Sequence, residues 1–102
     1  MPSDCETIRV DKNMKPSKKP FPGLKADHGY NQMIASADIK KGNGPYEVRV
    51  RFRDPQGRWR SGTFTNGRPL RADISPKHGF IPSVEVENKS DDHLELAVCL
   101  DY

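Results

Sequence analysis

The sequence predicts a mainly β protein: a small antiparallel β-sandwich or partly open barrel of five to seven strands with an irregular N-terminal arm. Three observations carry this expectation. Apolar and polar residues alternate with period two in several short runs, as in "YEVRVRF", "SVEVEN" and "LELAVCLD". Polar turn clusters containing glycine, proline, asparagine or aspartate separate those runs. The 102 residues include 8 Gly and 9 Pro, with 33% apolar and 30% charged side chains, a balance that suits a loop-rich β domain with a thin core.

Residues 1–29 read as a basic, partly mobile arm, with a short strand at Thr7–Val10. In "DKNMKPSKKPFPGLKADHG" three prolines remove backbone donors and push their preceding residues towards extended geometry, which disfavours a regular element over Asp11–Gly29. The ordered domain is expected from Tyr30 to Tyr102. "QMIASADIK" alternates through Met33, Ala35, Ala37 and Ile39 and reads as a strand followed by the turn "KGNG". In "YEVRVRF", Val48, Val50 and Phe52 face one side while Glu47, Arg49, Arg51 and Arg53 face the other. "DPQG" has the residues of a type I turn and returns the chain into "RWRSGTFT". "LRADIS" reads as a short edge strand, and "FIPSVEVEN" and "HLELAVCLDY" as a hairpin closed by the polar "KSDD".

The charge is uneven along the chain. The net +3 conceals eight basic and three acidic residues over 31–70, against three basic and seven acidic over 71–102. With Asp54–Gly57 as the loop, Phe52 faces Trp59, Arg51 faces Arg60 and Glu47 faces Phe64. Arg49, Arg51, Arg53, Arg58 and Arg60 then share one face. Like charges placed directly opposite each other destabilise a sheet, so something must offset them. Continuing the meander backwards sets Ile39 across from Tyr46 and leaves Asp38, diagonal to Arg49, as an acidic neighbour. Glu85, Glu87 and Glu95 of the last hairpin would neutralise the ladder if they lay beside it. Otherwise the face is solvated, or it awaits an anionic partner.

Nucleic acid is the leading partner on this reading. The five arginines would contact phosphates, Phe64 would stack on a base, and Lys15, Lys18 and Lys19 would add contacts from the arm. An acidic protein surface is the alternative, with Arg51, Arg53, Arg58, Trp59 and Arg60 at the contact centre, and it gains most if Trp59 points outward. Either way the domain is expected to be a binding module, such as an adaptor or inhibitor of the kind phages and mobile elements encode. "PSKKPFPG" lacks the spacing of a proline-rich ligand and reads as a basic tether.

No catalysis, cofactor, metal or small-molecule substrate is expected. His28, His78 and His93 are scattered, and the residues of "SDDH" are too close in sequence to converge as a nucleophile and base. His93 and Cys99 share a strand face but stand about 20 Å apart at ~3.3 Å per residue, beyond any common metal. The opening "MPSDCETIRV" is polar and no apolar run approaches the roughly 20 residues of a membrane span, so the chain is expected to be cytoplasmic. There Cys5 and Cys99 would be reduced thiols, whereas in an exported chain they would form a bridge between the two ends.

Overall fold

The computed structural model describes residues 3–11 and 16–102. Eight strands form two four-stranded sheets. The strands are β1 (Ser3–Val10), β2 (Ser17–Pro20), β3 (Gln32–Lys41), β4 (Tyr46–Arg53), β5 (Trp59–Phe64), β6 (Leu70–Asp73), β7 (Ser83–Asn88) and β8 (Leu94–Asp101). One sheet runs β1-β8-β3-β6 and the other β2-β7-β4-β5, with every pairing antiparallel. The antiparallel sandwich expected from the alternation is the observed fold, with no helix among the described residues.

Alternation decides which side chains meet between the sheets. Val48 and Val50 of β4, Val84 and Val86 of β7, and Leu94, Leu96, Val98 and Leu100 of β8 are all fully buried. Met33 and Ala35 of β3, with Ile8 and Val10 of β1, extend this core. Burying such a side chain stabilises the fold by roughly 1.5–3 kcal/mol relative to leaving it in water.

Strand adjacency departs from the expected meander. Only β4 and β5 form a paired hairpin; β3 and β4 lie in different sheets, as do β7 and β8. Ile39 is therefore not a cross-strand partner of Tyr46, and Asp38 lies on the β1-β8-β3-β6 sheet, not in the ladder that holds Arg49. A period-two pattern identifies the apolar face of each strand, but that face is satisfied equally by a neighbour in the same sheet or by one across the core.

The N-terminal third contains two strands, β1 and β2, the second inside the stretch expected to be irregular, whereas residues 21–31 form no strand. β1 pairs along its whole length with β8, from Ser3↔Asp101 to Val10↔Leu94. β2 pairs with β7, and the chain beyond it continues alongside, where the Phe21 N–H donates to Pro82 O at 2.8 Å and Leu24 bridges Phe80. Prolines are tolerated here because β2 is an edge strand, where a missing donor breaks no central ladder. Lys19 then reaches across to the other sheet, its Nζ 3.2 Å from Glu6 Oε2.

Cys5 and Cys99 stand opposite each other in the β1–β8 register and are joined as a disulfide. The expected pair of free thiols is thus replaced by a bridge across 94 residues of sequence. No helix among the described residues is long and apolar enough to cross a membrane.

Candidate functional site

The arginine hairpin is built on Asp54. Its carbonyl accepts the Gly57 N–H at 2.8 Å and its own N–H donates to Arg58 O at 2.8 Å, which makes Pro55, Gln56 and Gly57 a three-residue loop. Gly57 adopts φ 79°, the left-handed conformation that a type I turn with a glycine bulge needs. The Asp54 carboxylate accepts hydrogen bonds from the N–H groups of Gln56 (3.0 Å) and Arg58 (2.9 Å) and from Arg60 Nε (2.8 Å). Arg60 first, then the Arg58 and Gln56 amides, holds this carboxyl below its ordinary pKa.

The bulge corrects the expected register by one residue. Arg53 pairs with Trp59, Phe52 with Arg60, Arg51 with Ser61 and Val48 with Phe64. A slip of one residue sends every side chain of β5 to the opposite face. Trp59, expected to point inward, is therefore outward and 41% exposed. Phe64, expected as a stacking platform, is buried in the core. Arg60 leaves the arginine face to pair with Asp54, and Arg58 is exposed at the turn.

What remains on the outer face of the β2-β7-β4-β5 sheet is a smaller set. Arg49, Arg51 and Arg53 project from β4, joined by Lys18 of β2. The Arg51 and Arg53 guanidinium carbons lie 4.7 and 4.5 Å from the Trp59 ring centroid. Each such cation–π contact contributes about 0.5–1 kcal/mol at an exposed site and fixes the guanidinium direction. Arg53 is held further by donation from Nη1 to Gly57 O at 2.6 Å. Trp59 in turn packs edge-on against Phe80, with ring centroids 6.4 Å apart.

Cross-strand rows set the polarity of this face. Glu85 stands between Arg49 and Lys18 in register, so the last glutamates do partly flank the ladder. Glu87 faces Glu47, whose carboxylate takes Lys89 Nζ at 3.3 Å. Glu95 is on the other sheet. Arg51 has only Ser83 and Ser61 as neighbours, and no carboxylate opposes Arg53. Continuing the β4–β7 register brings Ile81, 59% exposed, level with Arg53. The face thus runs from an acidic row, through a cationic centre, to an apolar end formed by Trp59 and Ile81.

Of the residues expected at the site, Arg49, Arg51, Arg53, Trp59 and Lys18 converge; Arg58, Arg60, Phe64 and Lys19 do not. Lys15 lies outside the described residues. Ser61, Ser83 and Ile81 had no signal of their own in the sequence, because their place depends on the register and on which strand neighbours β4. Among the described residues no group of three or more His, Cys, Asp or Glu side chains gathers to hold a metal.

These features define a two-sheet antiparallel β-sandwich with Lys18, Arg49, Arg51 and Arg53 beside Trp59 on the outer face of one sheet. No family model matches the chain, and no curated protein matches it in sequence. Among solved structures it resembles the Yersinia pseudotuberculosis-derived mitogen (YPM), with a TM-score of 0.66 at 9% identity, covering 97% of this chain and 84% of that one. At that identity the likeness shows the fold alone. The SPBc2 prophage-derived protein YomS is also 9% identical, covers 95% of each chain and has a TM-score of 0.38, too low to carry an argument.

Proposed function

We propose that this domain is a non-catalytic protein-interaction module that docks on an acidic partner surface through the outer face of the β2-β7-β4-β5 sheet. The observation that carries the reading is Trp59, exposed with two guanidinium groups set against its ring. Tryptophan and arginine are enriched at the energetic centres of protein interfaces, and guanidiniums already oriented lose less entropy on meeting a carboxylate.

Nucleic acid, the leading reading from the sequence, fits this face less well. The cations occupy three cross-strand rows, each separated by about 7 Å, whereas single-strand grooves hold on the order of 4–16 nucleotides. Glu47 and Glu87 bound the patch at one end, and the stacking platform expected in Phe64 is buried. The Cys5–Cys99 bridge also supports a working place in an oxidising compartment, since disulfides are rare in the cytosol.

The test is fluorescence anisotropy with a labelled glutamate-rich peptide and with labelled single-stranded and duplex oligonucleotides, at ~50 and ~200 mM salt. Saturable peptide binding that weakens with Trp59→Ala supports the proposal. Tighter oligonucleotide binding with a steep salt slope, indifferent to Trp59→Ala, would overturn it in favour of nucleic acid.

A further inference from the structure

Beside Trp59 the outer face sinks into a depression of about 360 Å³ that spans β2, β7, β4 and β5. Its origin is a difference in side-chain length. Arg51 is flanked on both neighbouring strands by serines, Ser83 on β7 and Ser61 on β5. Arg49 and Lys18 stand one row away with Glu85 between them, and the indole of Trp59 closes the other side. Two short hydroxyl side chains thus sit among three long cations.

Resting on the proposed protein partner, we infer that this depression receives a tetrahedral oxyanion ester, a phosphate or sulfate carried on a side chain of that partner. The donors outnumber what a carboxylate can use. Two guanidiniums, one ammonium and two hydroxyls line the depression beside the single carboxylate of Glu85, whereas an incoming carboxylate offers two oxygens and a phosphate or sulfate ester offers three outward ones. Charge favours the phosphate of the two, since a sulfate monoester is singly charged like a carboxylate. Lys18, Arg49 and Arg51 against Glu85 leave an excess of two positive charges in the depression, which a single carboxylate would only half neutralise. A phosphate monoester carries about −1.5 to −2 at neutral pH and would match it closely. The indole wall suits an ester borne on a flat ring, such as that of tyrosine, because the ring edge can meet the aromatic surface while the anion reaches Arg51.

The experiment uses one fluorescein-labelled peptide with a single tyrosine among glutamates, in unmodified, phosphorylated and sulfated forms. Each form is titrated against the wild-type protein, Trp59→Ala and a Lys18→Ala/Arg49→Ala double variant. Both residues of the double variant are exposed, so folding is retained and is checked by circular dichroism. A modified form should bind about tenfold tighter than the unmodified one, the gain expected from new charge-assisted hydrogen bonds. The double variant should reduce that gain to about twofold or less. Which modified form gains more identifies phosphate or sulfate as the source. A gain that survives the double variant overturns the inference. So does equal binding of all three forms, but if that binding still weakens with Trp59→Ala the protein-interaction reading stands. Absence of binding by every form rejects both.

Discussion

Arg53 and Trp59 stand directly across from each other in the β4–β5 ladder, with the guanidinium carbon 4.5 Å from the indole centroid. The pairing exists because the loop before Trp59 contains three residues and not four. Had Asp54–Gly57 closed the hairpin evenly, the indole would be in the core and the arginines would oppose one another. Turn chemistry at Asp54 and Gly57 therefore decides what the face presents.

Gly57→Ala tests that dependence. A Cβ at a residue with φ 79° is strained, and it would lie 2.8 Å from the His78 ring. Stability should fall by more than about 1 kcal/mol, and peptide binding should weaken along with it as the register loosens. Urea denaturation and anisotropy measure the two effects.

Trp59→Ala should separate binding from folding. Loss of the side chain removes two cation–π contacts and the edge contact with Phe80, so stability should fall by about 1–2 kcal/mol while the domain stays folded. Its loss from an interface centre should cost about 2 kcal/mol or more of affinity, roughly thirtyfold in Kd. A variant that binds the acidic peptide as well as wild type would remove Trp59 from the contact.

Arg51 and Arg60 should behave differently, although the alternation made them equivalent. Arg60→Ser removes the partner of Asp54 and should lower the thermal midpoint. Arg51→Ser leaves the midpoint nearly unchanged and weakens binding. Differential scanning fluorimetry of the two single variants distinguishes them, and equal midpoints would contradict the Asp54–Arg60 role.

The Asp54 carboxyl gives a pH dependence of definite sign. Its folded pKa lies below its unfolded value of about 3.9, so its stabilising contribution is complete above that value and is lost as pH falls through the folded pKa. Asp11, lowered by Arg9 and His93, titrates in the same acid range, so wild type alone cannot isolate one group. Thermal midpoints of wild type and Asp54→Asn should differ at ~pH 6 and converge towards ~pH 2. A constant difference would mean that the carboxylate charge contributes nothing to the turn.

Breaking the Cys5–Cys99 bridge should destabilise the domain by about 2–4 kcal/mol, mainly because the unfolded chain regains freedom across the long loop. Urea curves with and without reductant measure this. An unchanged midpoint would show that the two cysteines do not pair in solution.

Much of this fold could be read directly from the alternation. β3, β4, β5, β6, β7 and β8 lie close to the runs that announce them, and Val48, Val50, Leu96 and Val98 are buried as their spacing requires. Sheet order could not be read, because β7 and β8 satisfy the same pattern as hairpin partners or as strands on opposite sides of a core. The arginine face was half legible: Arg49, Arg51 and Arg53 follow from β4 alone, whereas Trp59, Arg60 and Phe64 hang on one bulge residue. β2 was hidden by Pro20 and by the prolines flanking it at 16 and 22, whose lost donors are harmless only at a sheet edge, and edge position is a property of the whole fold.

Because Cys5 and Cys99 are 94 residues apart, the backbone between them and the disulfide together close a large covalent ring. A protease that cuts once in a surface loop, such as the one at Thr65–Pro69, would yield two fragments that stay covalently tied. They would migrate as a single intact band until reductant released them.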